Sequence, residues 1–522
     1  MSDHLHILLV TFPAWGKYCY LAKQYEHWPR TDWATGHIRP LCALGNRLAA
    51  AQPNVLVTIF TTAAFYEKIC AEVEGHFLAD KDGCYSHIRV VSIVEATAIR
   101  PSELVGQFGE AYPAAYERLF RGEEVTCTRT GIVGGTIPPP RAIIMDFFSV
   151  MQLHQTRTIS GPCVPIFTLA SCSTAALVRL FGPEEIGGLG DFGARTDAEA
   201  LRTGKSTAEI GDQIFKHTDG SVIRLPGIPP MYDYEFFPQT LPWDIPMAPI
   251  VRAGHEMFTR CDGVLINTCR AYGSETLDAL ESWVVSSLEK PLFPVGPLLP
   301  ATHGRDADCE NFLDNALATS GPRSVVLISF GTLFWPRDTA HLEQLVDTLI
   351  EMNFHFILAH ASFAARVPHS LTERIAASPL GMSTAWCPQQ LILTHAATGW
   401  FVTHGGHGGI TESLSAGVPM IVWPFDGDQP TAAVLLSQVL DVAFHLIEIR
   451  SGENGMRPMY SGQQPSGAVK EEFARVLAAA REGEGLRKWE NARKLATQFR
   501  LAWTEQGEAT KTIASFLRKI SL

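Results

Sequence analysis

The chain of 522 residues lacks the patterns that mark several specialised classes of protein. Its 11 cysteines are scattered, odd in number and never arranged as C-x-x-C, which favours reduced thiols in the cytoplasm over a disulfide framework. No basic stripe accompanies the net charge of −12, so nucleic acid is not an expected partner. Charged residues make up only 18% of the chain, which argues against long disordered regions.

Long hydrophobic runs are also missing. No stretch approaches the roughly 20 apolar residues that a membrane helix requires, so we expect no transmembrane anchor. The N-terminal segment enters a strand directly, without the basic region and apolar run of a signal peptide. Hydrophobic residues nevertheless reach 46%, enough for large cores. We expect a cytoplasmic monomer of two or three domains.

Short apolar runs alternate with helical patterns, which predicts an α/β protein with parallel sheets. The predicted strands are 5–11, 55–60, 88–93, 142–146, 164–168 and 263–267 in the first half, and 324–329 and 354–359 in the second. Residues 301–322 contain few apolar groups and are predicted to be a linker. It would join domains at 1–300 and 323–522, and the second domain would end in amphipathic helices after 469.

Residues 386–429 carry the most informative pattern. The strands predicted there are 399–403 and 418–423. Between them, residues 404–409 (H-G-G-H-G-G) let the backbone turn tightly and approach a ligand closely, and a helix is predicted at 410–416. Unpaired N–H groups and the positive end of the helix dipole predict an anion site at this turn. His404 can add a hydrogen bond to a phosphate oxygen.

This segment resembles the signature sequence of the family 1 UDP-sugar glycosyltransferases, in a fungal-like soluble form. The resemblance implies a GT-B fold, in which two doubly wound Rossmann-like domains face each other across a cleft and the last helix crosses back to the first domain. It also implies inverting transfer of a hexose, with glucose as the first expectation, from a UDP-sugar to a hydroxyl of a small lipophilic acceptor. The UDP-sugar would be a co-substrate, and no cofactor is expected.

The resemblance also assigns residues to the nucleoside and the sugar. Trp386 would stack on the uracil ring, and Gln389 and Glu412 would bind ribose hydroxyls. Asp428 and Gln429, which follow the second strand of the segment, would contact the sugar hydroxyls.

The phosphate-binding part departs from the family pattern. The residues implied in diphosphate binding are His404, Gly406, Gly408, Gly409, Gly331 and Thr332. Plant members usually carry Trp-Asn-Ser, and animal members Thr-Asn-Gly, where this chain has His407-Gly408-Gly409. The asparagine missing at Gly408 removes a side-chain donor, so the identity of the donor sugar stays open.

Sugar transfer also needs a base that takes the acceptor proton. His37 lies in T-G-H-I-R-P, just before a helix predicted at 40–51, where family members place Gly-His. Asp146 ends the predicted strand 142–146, and it would orient the imidazole and stabilise its protonated form. The sequence therefore predicts a His37–Asp146 pair in the first domain.

Two D-x-D patterns, at 306–308 and 426–428, could suggest a manganese site. The first lies in the predicted linker without a preceding strand, and the second overlaps the residues implied in sugar binding. We therefore predict no metal requirement.

Residues 17–36 do not fit the family pattern, in which the first strand runs almost directly into P-x-x-G-H. The segment is rich in Tyr and Trp and follows neither helical nor strand periodicity. It is either a retained intron, because the codons available at its ends permit splice sites, or a genuine loop. Either way it stands immediately before His37.

Two alternatives remain open. The donor could be UDP-glucuronate, UDP-N-acetylglucosamine or a dTDP-sugar, or the chain could be a catalytically impaired nucleotide-sugar binder because of residues 17–36. A dehydrogenase is not expected, since no G-x-G-x-x-G follows the first strand.

Overall fold

The computed structural model describes most of the chain. The described residues are 4–11, 35–79, 87–95, 101–135, 137–241, 247–301, 304–362 and 364–521. The predicted insertion at 17–36 lies outside them, apart from Thr35 and Gly36. Across these ranges, no helix has the length and apolar character that would let it span a membrane.

The first half is built around a parallel sheet. Its strands are β1 Leu5–Val10, β2 Val55–Thr62, β3 Ile88–Val94, β4 Ala142–Asp146, β5 Ile166–Ala170, β6 Val222–Ile223, β7 Met231–Tyr232, β8 Gly263–Ile266 and β9 Leu292–Pro294. In the part of the chain that the structure describes, seven of these form one sheet in the order β3-β2-β1-β4-β5-β8-β9, and β6 pairs with β7 alone. The strand predicted at 164–168 begins later, at Ile166.

Helices cover both faces of this sheet. Those described are α1 Thr35–Ala51, α2 Ala63–Ala79, α3 Pro101–Phe120, α4 Val150–Ser160, α5 Thr174–Phe181, α6 Phe192–Thr203, α7 Thr207–Lys216, α8 Met247–Arg260 and α9 Arg270–Ser286. The sequence of strand β1 is a nearly continuous apolar run because both faces of the strand are buried. Leu8 and Val10 enter one hydrophobic core while Leu9 enters the core on the opposite face. Helix α1 begins at Thr35, earlier than the predicted 40–51, so His37 lies within its first turn.

The second half has the same design. Its strands are β10 Val325–Ser329, β11 His355–Ala359, β12 Gly381–Thr384, β13 Thr398–Thr403, β14 Met420–Val422 and β15 Ala443–His445. They form a parallel sheet in the order β12-β11-β10-β13-β14-β15. Its helices are α10 Ala307–Ser320, α11 Thr339–Glu351, α12 His369–Ala377, α13 Gln389–Thr394, α14 His407–Ala416, α15 Gln429–Val434, α16 Val469–Arg481, α17 Gly483–Ala502 and α18 Glu508–Ser521. The two parallel sheets confirm the predicted α/β class.

Helix α10 occupies most of the segment predicted as a linker at 301–322. Asp306 caps it, because its Oδ1 accepts hydrogen bonds from the backbone N–H groups of Asp308, at 3.1 Å, and Cys309, at 3.0 Å. Cys309 and Leu313 are fully buried. The few apolar residues of this segment thus form one helical stripe, and the first D-x-D pattern is a helix cap.

Contacts between the halves include one made by α18 and one between two loops. Helix α18 packs on the first sheet, where the Phe516 ring lies 4.9 Å from that of Phe167 and 5.4 Å from that of Phe293. On the other side, the loop after β7 meets the loop before α16. There the Tyr234 hydroxyl donates to the oxygen of Pro458 at 2.7 Å.

Replacing Phe516 should destabilise the first half. Phe516→Ala removes a buried ring between two others, and core truncations of this kind cost about 3–5 kcal/mol. We expect a clear fall in the midpoint of thermal or urea unfolding. Lys519→Ala, on the exposed side of the same helix, is the matched control; equal midpoints for the two variants would contradict the packing.

Candidate active site

The structure brings the predicted base and acid together. Strands β1 and β4 are parallel neighbours, so their carboxyl ends meet at one edge of the sheet. His37, in the first turn of α1, has its Nδ1 2.8 Å from Oδ2 of Asp146, the last residue of β4. Because a carboxylate only accepts, Nδ1 carries the hydrogen and donates it. Both residues are buried, at 8% and 2% exposure.

Phe148 contacts both members of this pair. Its backbone N–H donates to the other carboxylate oxygen, Oδ1 of Asp146, at 3.0 Å. Its ring centre lies 5.2 Å from that of His37. Sequence reasoning did not single out Phe148, although it stands two residues after Asp146.

The glycine turn opens helix α14 as the spacing implied. Gly406 is its N-cap residue, and the helix starts at His407, before the predicted 410–416. Gly405 has φ +83°, and a Cβ there would lie 2.9 Å from Cγ1 of Val422. Only glycine fits this position, because both the backbone angle and the space exclude a side chain.

His404 is clamped between two glycines. A Cβ on Gly331 would lie 2.9 Å from Cε1 of the His404 ring, and a Cβ on Gly406 would collide with its Nε2. Strands β10 and β13 are paired, with Ser329 opposite Thr403, which explains why the turns that follow them meet here. The structure thus brings Gly331, half-buried Thr332 and the glycine turn to one place.

The environment of His404 keeps its ring neutral. Burial lowers the pKa of His404 to about 4. The ring stacks on Phe334, with 5.7 Å between centres. Its Nδ1 has no hydrogen-bond partner among the residues that the structure describes. A neutral ring with an unpaired polar atom can bond a ligand without adding charge.

The residues implied in nucleoside binding lie at the end of β12 and across the helix pair α13 and α14. Trp386 is 56% exposed, so its ring is open to a ligand. Gln389 donates from Nε2 to Oε2 of Glu412 at 3.2 Å. Burial raises the pKa of the Glu412 carboxyl. An exposed indole thus stands three residues before one member of a partly buried amide–carboxylate pair.

At the sugar end, Gln429 is already partly engaged. Its Oε1 accepts hydrogen bonds from the backbone N–H groups of Phe425, at 2.8 Å, and Asp426, at 3.3 Å. Only its amide NH₂ can therefore face a ligand. The second D-x-D pattern is likewise used locally, since Asp426 accepts from the N–H of Gly427 at 2.7 Å.

Two residues of the first half are close enough to Asp428 to feel its charge. Burial raises the pKa of the Cys172 thiol, and the nearby Asp428 carboxylate adds to this shift. The same two causes raise the pKa of the Tyr272 hydroxyl. Neither residue belongs to a recognisable motif, so sequence reasoning missed both.

Lack of space does not explain why residues 407–409 differ from the family pattern. Gly408 is exposed, and a Cβ built there would meet no atom within 4 Å. Gly409 would meet only ordinary van der Waals contacts, with the first neighbour, in Phe401, at 3.5 Å. An asparagine at Gly408 would fit this backbone. In the described parts of the chain, no group of three or more His, Cys, Asp or Glu side chains is arranged to hold a metal ion.

Comparison with known proteins decides the family. Residues 269–448 match the family described as UDP-glucoronosyl and UDP-glucosyl transferase. The Citrus unshiu protein UDP-glycosyltransferase 708G2 is 31% identical over 375 residues, covering 66% of this chain and 74% of that protein. This chain belongs to the UDP-glycosyltransferase family. The Hericium erinaceus UDP-glycosyltransferase eriJ is 28% identical over 517 residues, 94% of this chain and 98% of that protein.

Other relatives carry more specific names. The Prunus dulcis protein (R)-mandelonitrile beta-glucosyltransferase is 29% identical over 319 residues, 56% of this UDP-glycosyltransferase and 60% of that protein. A Siraitia grosvenorii transferase solved in complex with UDP has a TM-score of 0.67 at 18% identity, covering 99% of this chain and 100% of that chain. This likeness shows the GT-B fold and confirms that prediction.

The pH dependence of stability tests the environment of His404. Between pH 6.5, the ordinary pKa, and pH 4, the unfolded chain binds a proton at His404 that the folded chain does not. The free energy of unfolding should therefore fall as the pH drops through this range. His404→Gln removes the contribution of this histidine to the pH dependence, so the thermal midpoint of the variant should fall less steeply as the pH drops. The matched control is His369→Gln on the surface; identical slopes in the two variants would be evidence against a neutral, buried His404.

Proposed function

We propose that this UDP-glycosyltransferase inverts the anomeric centre as it transfers glucose from UDP-glucose to a hydroxyl of a small lipophilic acceptor. The hydrogen-bonded His37–Asp146 pair carries this proposal, because it supplies a positioned base at the edge of the first sheet. The Prunus dulcis relative, a named glucosyltransferase, adds support. Residues 1–300 would bind the acceptor and 323–522 the donor, with α10 in the connection at 301–322. The scattered cysteines support a cytoplasmic protein, which we take to be a monomer.

The base acts through Nε2 of His37. Since Nδ1 donates to Asp146, the lone pair of the ring lies on Nε2, and this atom takes the proton of the acceptor hydroxyl. Asp146 holds the ring in this tautomer and stabilises the positive charge that the proton brings. The acceptor oxygen attacks the anomeric carbon as the bond to the diphosphate breaks, so the configuration inverts.

The leaving diphosphate is stabilised by fixed dipoles. The turn before α14 presents backbone N–H groups and the positive end of the helix, which favour negative charge. His404 donates one hydrogen bond from its neutral ring, and the N–H of Thr332 offers another. The N–H of Gly331 donates to the hydroxyl of Ser329 at 3.4 Å, so Gly331 contributes the space that the His404 ring needs. These groups do not move as charge develops, which is the main requirement for such stabilisation.

Uridine and sugar bind on either side of the diphosphate. The exposed face of Trp386 stacks on uracil, and the Gln389–Glu412 pair binds the ribose hydroxyls. At the other end, Asp428 accepts from the sugar hydroxyls and Gln429 donates its amide hydrogens. Near Asp428, Cys172 and Tyr272 are neutral groups, which supports a neutral hexose over glucuronate.

Loss of the base should abolish transfer without abolishing donor binding. His37→Ala removes the only proposed proton acceptor, and general-base catalysis is worth about 10²- to 10⁴-fold in rate. We expect kcat to fall by that factor while calorimetry shows UDP affinity near the wild-type value. Asp146→Asn should lower kcat as well, since the ring loses its orienting carboxylate.

The control for these variants is His154→Ala, a half-exposed histidine on the outside of the first half. Transfer that survives His37→Ala would discredit the base. A wild-type chain that binds UDP but transfers no sugar from any tested donor would instead support the impaired-binder alternative.

Crowding His404 should weaken UDP binding. In Gly406→Ala the new methyl group collides with the imidazole and displaces it from the diphosphate. Losing one hydrogen bond to a charged group costs about 1.5–3 kcal/mol, so the dissociation constant should rise by about tenfold or more. Gly483→Ala, at the start of α17 where a Cβ meets no atom, is the control. Unchanged affinity in Gly406→Ala would remove His404 from the diphosphate site.

A further inference from the structure

The side chain at position 407 crosses from one half of the molecule to the other. His407 is the first residue of α14, and its Nε2 lies 2.7 Å from the backbone oxygen of Asn267. Asn267 directly follows β8 in the first sheet. It is firmly held there, because its N–H donates to the oxygen of Ala170 at 3.0 Å and its side-chain oxygen accepts from the N–H of Leu298 at 2.7 Å.

The chemistry of this bond fixes the tautomer of His407. A backbone oxygen can only accept, so the ring hydrogen is on Nε2. Burial lowers the pKa of His407, which keeps the ring neutral. The His407 side chain is 5% exposed and lies against the Tyr272 ring, with 5.9 Å between ring centres. Water cannot easily replace the donor, so its removal would leave a buried oxygen unpaired.

The bond joins the two parts of the proposed reaction site. Helix α14 presents the turn that faces the diphosphate, while β8 belongs to the sheet that carries Asp146 at the end of β4. Neither the Trp-Asn-Ser nor the Thr-Asn-Gly pattern of the family places histidine here. At 407–409 this chain therefore lacks the asparagine of the family pattern and has a histidine that bonds across the halves.

We propose that His407 is a positioning residue that fixes the diphosphate turn relative to the His37–Asp146 pair. The proposal rests on the function proposed above. His407 acts through the carbonyl of Asn267 and contacts neither base nor uridine. It therefore governs the alignment of the anomeric carbon with the acceptor, and small errors in that alignment are costly. The contacts proposed for the UDP moiety all lie in the second half, so we expect UDP affinity to be nearly independent of His407.

Three substitutions test whether His407 acts as a hydrogen-bond donor or only fills space. His407→Gln places an amide N–H at a reach similar to that of Nε2, His407→Asn places it one bond short, and His407→Leu fills the space without a donor. We expect kcat to fall about tenfold or more in the Asn and Leu variants, with the UDP dissociation constant within about twofold of wild type. The Gln variant should recover most of the loss.

A buried histidine away from the cleft provides the control. His355 begins β11, at the amino end of the second sheet, and its Nε2 bonds the Ser320 hydroxyl at 3.0 Å. His355→Leu should lower the thermal midpoint as His407→Leu does, but leave kcat unchanged. Wild-type kcat in His407→Leu, or a Gln variant no better than Leu, would overturn the proposal. So would a UDP dissociation constant that rises in step with the loss of kcat.

Hydrogen exchange gives a readout that does not depend on activity. In His407→Leu the amides around 266–272 and 404–410 should exchange faster than in wild type and in His355→Leu, because the bridge between them is lost. Unchanged exchange at both segments would overturn the positioning role even if the wild type transferred no sugar. If His407→Leu exchanges faster than wild type but the wild type transfers no sugar, only the proposed function is overturned.

Discussion

The carboxyl ends of parallel strands meet at one edge of a sheet, and this constraint determines where several groups of the candidate site lie. Asp146 ends β4, His404 and the glycine turn follow β13, and Asp428 follows β14. Most strands of the two sheets are buried on both faces, so polar groups gather in the turns beyond their carboxyl ends. In the proposed function, the base at the edge of one sheet and the anion site at the edge of the other act on the same donor.

The relation between the halves rests on contacts of different kinds. Aromatic packing around Phe516 attaches the last helix to the first sheet, and the Tyr234 hydroxyl ties two loops on the other side. The bond from His407 to Asn267 joins α14 to the segment after β8. A hydrogen bond weakens steeply when its angle departs from linearity, which is why we propose this contact as the one that aligns the reacting groups.

Local patterns could predict much of this structure. Strand β4 and the pairing of His37 with Asp146 follow from apolar runs and a motif. Helix α14 was predicted to start too late because Gly408 and Gly409 have low helix propensity, although packing makes them helical. Helix α10 was missed because its apolar residues are few and its cap is an ordinary aspartate. The contacts of His407 with Asn267 and Tyr272 join distant parts of the chain, and no local spacing records such contacts.

The position of α18 also has a consequence for how the chain matures on the ribosome. Ile513, Phe516 and Leu517 fill a core whose other members include Leu9 and Ile144, which are made more than 300 residues earlier. The first sheet can form its strands as it emerges, but part of one face stays uncovered until α18 has been synthesised. A chain that stops before that helix would expose an apolar surface, which makes it a target for chaperones and proteases.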